Sequence, residues 1–96
     1  MVTSIVLINT ERDAVNAVAD ALVNIEGVTE VYSVAGKYDL IALLRVQSNE
    51  AMADLVTRRI LEVDGTVDSE TLLAFRVHSN FDLAEIFELD SESSRN

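Results

Sequence analysis

The chain has 96 residues, of which 49% are hydrophobic, and this length allows one compact domain with a small core. Its formal net charge of −10 argues against direct binding to nucleic acid phosphates or anionic membranes. The absence of cysteine excludes disulfide frameworks and thiolate chemistry, and no stretch has the pattern of a signal peptide or membrane span, so we expect a cytoplasmic protein.

The start of the chain predicts a strand followed by a helix. Residues 2–8 form a β-branched apolar run of strand length. Thr10 and Asp13 have the spacing of a helix capping box, and Gly27 is a typical C-terminal stop. Between them, apolar residues recur at helical intervals: Val15, Val18, Leu22 and Ile25. We predict a helix over about residues 11–25.

The remaining elements are a hairpin, a second helix and a fourth strand. Residues 28–35 and 40–46 are predicted strands joined by a turn at Gly36. Ser48 or Asn49 can cap the second helix, whose apolar face consists of Met52, Leu55, Val56, Ile60 and Val63. Residues 67–77 complete the pattern as a fourth strand.

This order predicts an α+β fold of the ferredoxin-like βαββαβ type, an antiparallel four-stranded sheet with both helices on one face. We expect one domain over residues 1–89 and a flexible acidic tail over residues 90–96. Ser79 and Asp82 again have capping-box spacing, which predicts a short amphipathic helix before that tail.

The central strands are apolar on both faces, although a sheet covered on one side should alternate apolar and polar residues. Residues 5–8 and 40–44 show no such alternation. Large exposed apolar patches are rare in monomers, so we expect a second copy of the chain to cover the open face. The alternative is that apolar residues of the C-terminal segment fold back over it: Phe81, Leu83, Ile86, Phe87 and Leu89.

The hairpin tip, with the sequence Gly-Lys-Tyr-Asp, combines a flexible backbone with one carboxylate. Gly36 can adopt a positive φ and lets a ligand approach the main chain, while Asp39 supplies a fixed anion beside Lys37 and Tyr38. Such a pair suits an ammonium group. An ordinary turn explains the same residues, because turns favour glycine and aspartate.

Ser69 and Thr71 lie two residues apart on the fourth strand, so their hydroxyls share a face. The other residues of that face are apolar: Val67, Leu73, Phe75 and Val77. Two hydroxyls at the edge of an apolar face can bind a small polar ligand. The β propensity of threonine and a frayed strand start explain them equally well.

No catalytic constellation or cofactor motif is found in the sequence. His78 is the only histidine, and neither a second histidine nor a cysteine completes a metal site. The acidic pair Asp68 and Glu70 lacks the ligand spacing of a calcium loop, so we interpret it as part of a solvated face.

Residues 33–46 (SVAGKYDLIALLRV) and 65–77 (GTVDSETLLAFRV) resemble the ligand-binding domain of the Lrp/AsnC, or feast/famine, transcriptional regulators, also called the RAM domain. The Gly-x-Tyr-Asp hairpin and the Val-x-Ser-x-Thr segment fall at the two hallmark positions of that family. Because Met1 leads directly into the first strand, the chain looks like the stand-alone form without a helix-turn-helix domain.

The resemblance implies a non-enzymatic regulatory domain that dimerises through its sheets in the manner of dimeric α/β barrels. It implies further assembly, often a tetramer of dimers, with amino-acid effectors bound between dimers. The implied ligand-binding residues are Gly36, Lys37, Tyr38, Asp39, Ser69 and Thr71, and full-length regulators of the family are implied partners.

Two other classes stay open. One is a small dimeric α/β-barrel enzyme, a monooxygenase or isomerase, in which His78 would be the acid-base residue. The other is a pure assembly module that completes a ring with a DNA-binding relative.

Overall fold

The structure, a computed structural model, describes residues 1–80. The strands are β1 (Val2–Thr10), β2 (Val28–Ser33), β3 (Leu40–Val46) and β4 (Thr66–Ala74), and the helices are α1 (Val15–Val23) and α2 (Asn49–Asp54), the latter continued by a π-helix over Leu55–Ile60. The strand order in the sheet is β2-β3-β1-β4, and all three pairs are antiparallel. The predicted ferredoxin-like fold is confirmed.

One face of the sheet packs against the helices. Along β1 and β3, every second residue is buried on this face: Ser4, Val6, Ile8, Leu40, Ala42 and Leu44. The helices supply the rest of the core through Val18, Leu22, Met52, Leu55 and Ile60. The Ser4 hydroxyl, fully buried among these groups, donates a 3.0 Å hydrogen bond to the sulfur of Met52. The core therefore lies between β1, β3 and the two helices.

The predicted start of the first helix was wrong. The helix begins at Val15, and Ala14 at its N-cap makes no side-chain capping bond. Thr10 is instead the last residue of β1, and its hydroxyl donates to the Glu11 carbonyl at 3.0 Å. The next residue, Glu11, donates its N–H to the Gly65 carbonyl at 2.7 Å, and Gly65 directly precedes β4. Sheet pairing thus extends to Glu11, the first residue that the sequence pattern assigned to the helix, and a turn closed by the 3.0 Å bond from the Ala14 N–H to the Glu11 carbonyl leads into α1.

The second helix is capped as predicted, since the Ser48 hydroxyl accepts a 3.1 Å hydrogen bond from the Ala51 N–H. Its continuation is a π-helix, which the apolar spacing did not indicate. Leu55 and Ile60, five residues apart, are both buried, as the i to i+5 repeat of a π-helix requires. Arg58 and Arg59, which lie between these two buried residues, are exposed.

The fourth strand is shorter than the predicted residues 67–77. It ends at Ala74, opposite Thr3, because β1 has only Met1 and Val2 beyond that pair to offer as partners. The second strand likewise ends at Ser33 rather than at Ala35. Both errors arose because apolar residues continue past the point where a neighbouring strand is present to pair with them.

The other face of the sheet, called here the open face, is apolar at its centre. Ile5 and Leu7 of β1 lie beside Leu43 and Ile41 of β3, and all four are half-buried. At the flanks, Tyr32 is 46% exposed and Leu72 is 47% exposed. The sequence predicted that a second copy of the chain covers this face, as in dimeric α/β barrels. This stays a prediction.

Several expectations fall beyond the part of the chain that the structure describes. They are the short helix after Ser79, the folding back of apolar residues from position 81 onward, and the tail over residues 90–96. Within residues 1–80, no helix is both long and apolar enough to span a bilayer.

Candidate functional site

The hairpin loop between β2 and β3 carries four of the sequence-predicted ligand-binding residues. It is closed by a 3.0 Å hydrogen bond from the Val34 N–H to the Asp39 carbonyl. Gly36 has a φ of +133°, a conformation that L side chains rarely adopt, and a Cβ built there would meet no atom within 4 Å. The glycine is therefore required by the backbone conformation of the loop, and the space beside it is open to a ligand.

Asp39 joins this loop to the end of β1 through two hydrogen bonds. Besides accepting from Val34, it donates its own N–H to the Ile8 carbonyl at 3.0 Å. Its side-chain Oδ2 accepts a 2.9 Å bond from the Thr10 N–H. The partner of this carboxylate is a neutral N–H, and among residues 1–80 no basic side chain forms an ion pair with it, so it can also accept from a cationic group.

Tyr38 connects the loop to β4 across the width of β1. Its hydroxyl donates a 2.7 Å hydrogen bond to Oε2 of Glu70. This bond to a carboxylate favours the protonated phenol and raises the pKa of Tyr38 above its usual value of 10.0. The Lys37 ammonium lies 5.9 Å from the centre of the Tyr38 ring, within the range of a cation–π contact. The half-buried ring thus forms one side of the loop in a defined position.

Asp68 and Glu70 were missed as site residues because the sequence suggested only a solvated face. The register places them opposite Asn9 and Leu7, on the open face. Nδ2 of Asn9 donates a 3.1 Å bond to Oδ1 of Asp68. The two-residue spacing of the acidic pair indicated a common face, but only the sheet order shows that this face adjoins the hairpin.

Ser69 and Thr71 lie on the opposite face of β4 from that acidic pair. Their partners in the register are Ile8 and Val6, whose side chains point to the helices. Ser69 is half-buried and Thr71 is exposed. Within one chain, the structure brings Tyr38 to Glu70 and does not bring the hairpin to either hydroxyl. The binding role of Ser69 and Thr71 stays a prediction.

His78 follows the end of β4 and is exposed. It lines a shallow depression together with Val77, Ser79 and Asn80. In the described part of the chain, no cluster of three or more histidine, cysteine, aspartate or glutamate residues is arranged to hold a metal ion. The hypothesis of an enzyme depended on His78 as the acid-base residue. Among the residues that line this depression, no other side chain is an acid or a base.

Comparison with known proteins shows which protein family matches this chain. The family model described as the Lrp/AsnC ligand binding domain matches residues 3–82. A curated relative, an uncharacterized HTH-type transcriptional regulator of Pyrococcus furiosus, is 30% identical over 76 residues, which are 76% of this chain and 51% of the relative. The chain therefore spans about half the length of that relative.

Solved structures support the same assignment. A protein of Thermus thermophilus is 44% identical with a TM-score of 0.78, and the match covers 83% of this chain and 100% of that one. A feast or famine regulatory protein of M. tuberculosis, solved in complex with L-methionine, is 26% identical with a TM-score of 0.66. That match covers 85% of this chain and 56% of the regulator.

Proposed function

Because this chain belongs to the family of Lrp/AsnC ligand-binding domains, we propose that it is an effector-binding regulatory domain that responds to a free amino acid. It acts by binding rather than by catalysis. The observation that carries the proposal is the position of Asp39, whose carboxylate has no ion-pair partner among residues 1–80 and lies on a loop fixed by β1 and by the Tyr38 contact to β4. A relative that was solved with L-methionine supports an amino acid as the effector class.

In the proposed complex, the ammonium group of the amino acid binds Asp39, and the open backbone around Gly36 and Lys37 contacts its polar groups. The Tyr38 ring forms a wall of the pocket. Ser69 and Thr71 of one chain face away from this loop, so any contribution they make to the same pocket comes from another copy of the chain.

The assembly that we propose begins with a dimer through the open face. Its support is the apolar centre formed by Ile5, Leu7, Ile41 and Leu43, which a monomer would leave in contact with water. Further assembly into a ring, such as a tetramer of dimers, then brings hairpins of different dimers together. Mixed assembly with full-length regulators of the family is the route by which such a domain would influence transcription.

Titration with each of the twenty amino acids, followed by thermal shift and then calorimetry, tests the proposal. Asp39→Asn is the informative variant, because the amide oxygen can still accept from Thr10 while the charge is lost. We expect at least a tenfold weaker affinity, the typical effect of losing a hydrogen bond to a charged group. Asp20→Asn, on the exposed side of α1, is the matched control and should bind normally.

A strictly monomeric protein that shows no thermal shift with any amino acid would contradict the sensor proposal. Ring formation with a full-length relative, without binding of any amino acid, would instead favour the assembly module. Sedimentation of mixtures with such a relative distinguishes these two outcomes.

A further inference from the structure

The apolar centre of the open face lies between polar side chains of opposite charge. At one end of the face, Arg45 of β3 pairs with Thr3 of β1. Toward the other end, Glu70 of β4 pairs with Leu7 of β1, and Asp68 lies two residues further along the same face. The distance along β1 from Thr3 to Leu7 is about 14 Å at the rise of an antiparallel strand. A cation and two carboxylates therefore lie on opposite sides of the apolar centre.

Arg45 is a half-buried cation, and within residues 1–80 no carboxylate lies at ion-pair distance from it. On the neighbouring strand, Glu30 accepts a hydrogen bond from the Tyr32 hydroxyl. This bond raises the pKa of Tyr32, and the positive charge of Arg45 opposes that rise, which agrees with a guanidinium group on the open face. Arginine is rarely buried unless it is paired. The guanidinium group is therefore available to a carboxylate of another chain.

The two carboxylates beyond the apolar centre keep free acceptor positions. Oε2 of Glu70 accepts a 2.7 Å bond from the Tyr38 hydroxyl, and Oδ1 of Asp68 accepts a 3.1 Å bond from Nδ2 of Asn9. Both carboxylates are exposed, and no basic side chain of the described residues forms an ion pair with either. Because a carboxylate has two oxygens with about four acceptor sites, each can also bind a guanidinium group.

We propose that, in the dimer through the open face, Arg45 of each chain binds the carboxylates of Asp68 and Glu70 of the partner subunit. The proposal rests on the dimer proposed above and adds its orientation. A two-fold axis that lies between the sheets and runs across the strands reverses the strand direction. The Arg45 end of one sheet then covers the acidic end of the other.

The charges argue against the other simple orientation of such a dimer. An axis along the strands would place both Arg45 ends on one side of the dimer and both acidic ends on the other. Arg45 would then stay unpaired, and like charges would come closer together, which costs free energy. In the proposed orientation, opposite charges instead offset part of the repulsion between two chains that each carry a formal net charge of −10.

The proposed contact adjoins the hairpin, because Glu70 also accepts from Tyr38 of that loop. Glu70 would then have two partners, the Tyr38 hydroxyl of its own chain and Arg45 of the partner subunit. The ionic contact would thus connect the dimer interface to the loop proposed to bind the effector.

Sedimentation velocity of the full chain over a range of concentrations tests the orientation. Arg45→Glu places acid against acid, and Glu70→Arg places base against base. Each variant should raise the dissociation constant of the dimer about tenfold or more, because a symmetric interface brings the like charges together twice. An equimolar mixture of the two variants restores an acid-base pair at both contacts, so the mixed dimer should dissociate much as the parent dimer does.

Arg59→Glu and Glu62→Arg are the matched controls. They make the same changes of charge at exposed positions outside the sheet, and they should dimerise as the parent does. Circular dichroism checks that each variant is folded. If Glu70→Arg does not fold, Asp68→Arg takes its place in the mixture.

The proposal is overturned if the reversed variants dimerise as tightly as the parent, or if their mixture does not recover the dimer. Leu72→Asp places a charge on the open face opposite Ile5 and reports on the face itself. Dissociation by Leu72→Asp alone would overturn the orientation and leave the proposed dimer in place. Amino-acid binding is measured separately by calorimetry, so its failure is distinguishable from a failure of the ionic contact.

Discussion

Oδ2 of Asp39 accepts a 2.9 Å hydrogen bond from the backbone N–H of Thr10. Thr10 is only 9% exposed, and the register between β1 and β4 is irregular at this residue. The side chain of Asp39 therefore completes the hydrogen bonding of a nearly buried strand end. A carboxylate proposed to bind an effector thus also stabilises the fold.

Replacement of Asp39 separates these two roles. Asp39→Ala should lower the free energy of unfolding by about 1–3 kcal/mol, because the Thr10 N–H loses its acceptor in a poorly hydrated position. Asp39→Asn should lower the free energy of unfolding by less, since the amide oxygen can still accept the hydrogen bond from Thr10. Urea unfolding followed by circular dichroism measures both. Equal destabilisation by the two variants would show that the charge of Asp39, rather than the hydrogen bond, stabilises the loop.

The bond between Tyr38 and Glu70 predicts a pH dependence. The folded state raises the pKa of Tyr38, mainly through the hydrogen bond to Glu70, so the folded chain retains the phenol proton to higher pH than the unfolded chain. The stabilising contribution is fully present below the unfolded pKa of 10.0 and is lost as the pH rises through the folded value.

Phenolate absorbance measures this shift. The chain has two tyrosines, so Tyr32→Phe leaves Tyr38 as the single signal. Adding Glu70→Gln to this background should move the pKa of Tyr38 down toward 10.0. A titration curve that does not respond to Glu70→Gln would contradict the contact.

Two glycines with positive φ should respond differently to alanine. At Gly36 a Cβ meets open space, so Gly36→Ala carries only the backbone cost of a conformation that L side chains rarely adopt, about 1–3 kcal/mol. At Gly65, with a φ of +97°, the same Cβ lies 2.9 Å from the Cβ of Ala14 and 2.9 Å from Cγ2 of Val18. Gly65→Ala should therefore be the more destabilising in thermal unfolding, and the reverse order would contradict these geometries.

Adjacent leucines on β4 test the proposed dimer interface. Leu72 lies opposite Ile5 on the open face, and Leu73 lies opposite Ser4 on the helix-side face. Their exposed fractions are similar, 47% and 54%. Leu72→Asp should dissociate the proposed dimer. Burial of a leucine contributes about 2 kcal/mol, and a symmetric interface contains Leu72 twice.

Leu73→Asp is the control for that experiment and should leave the dimer intact. Sedimentation velocity measures both variants at several concentrations. Dissociation by Leu73→Asp, with Leu72→Asp unaffected, would place the interface on the other side of β4.

Local sequence patterns were sufficient for the order and type of the elements. Periodic apolar residues predicted β3, and a serine cap predicted the start of the second helix, because these signals act between residues that are near each other in the chain. The hairpin sequence Gly-Lys-Tyr-Asp was also correctly interpreted as a turn with a positive φ at Gly36.

The sequence by itself therefore determined the ferredoxin-like order, the hairpin and the likeness to the Lrp/AsnC domains. Only the tertiary structure decided where β1 ends, which partner Asp39 has, and which residues of β4 approach the hairpin. These features depend on strand register, in which a shift of one residue moves a side chain to the other face of the sheet. That is why Asp68 and Glu70, rather than Ser69 and Thr71, lie beside Asn9 and Tyr38 within one chain.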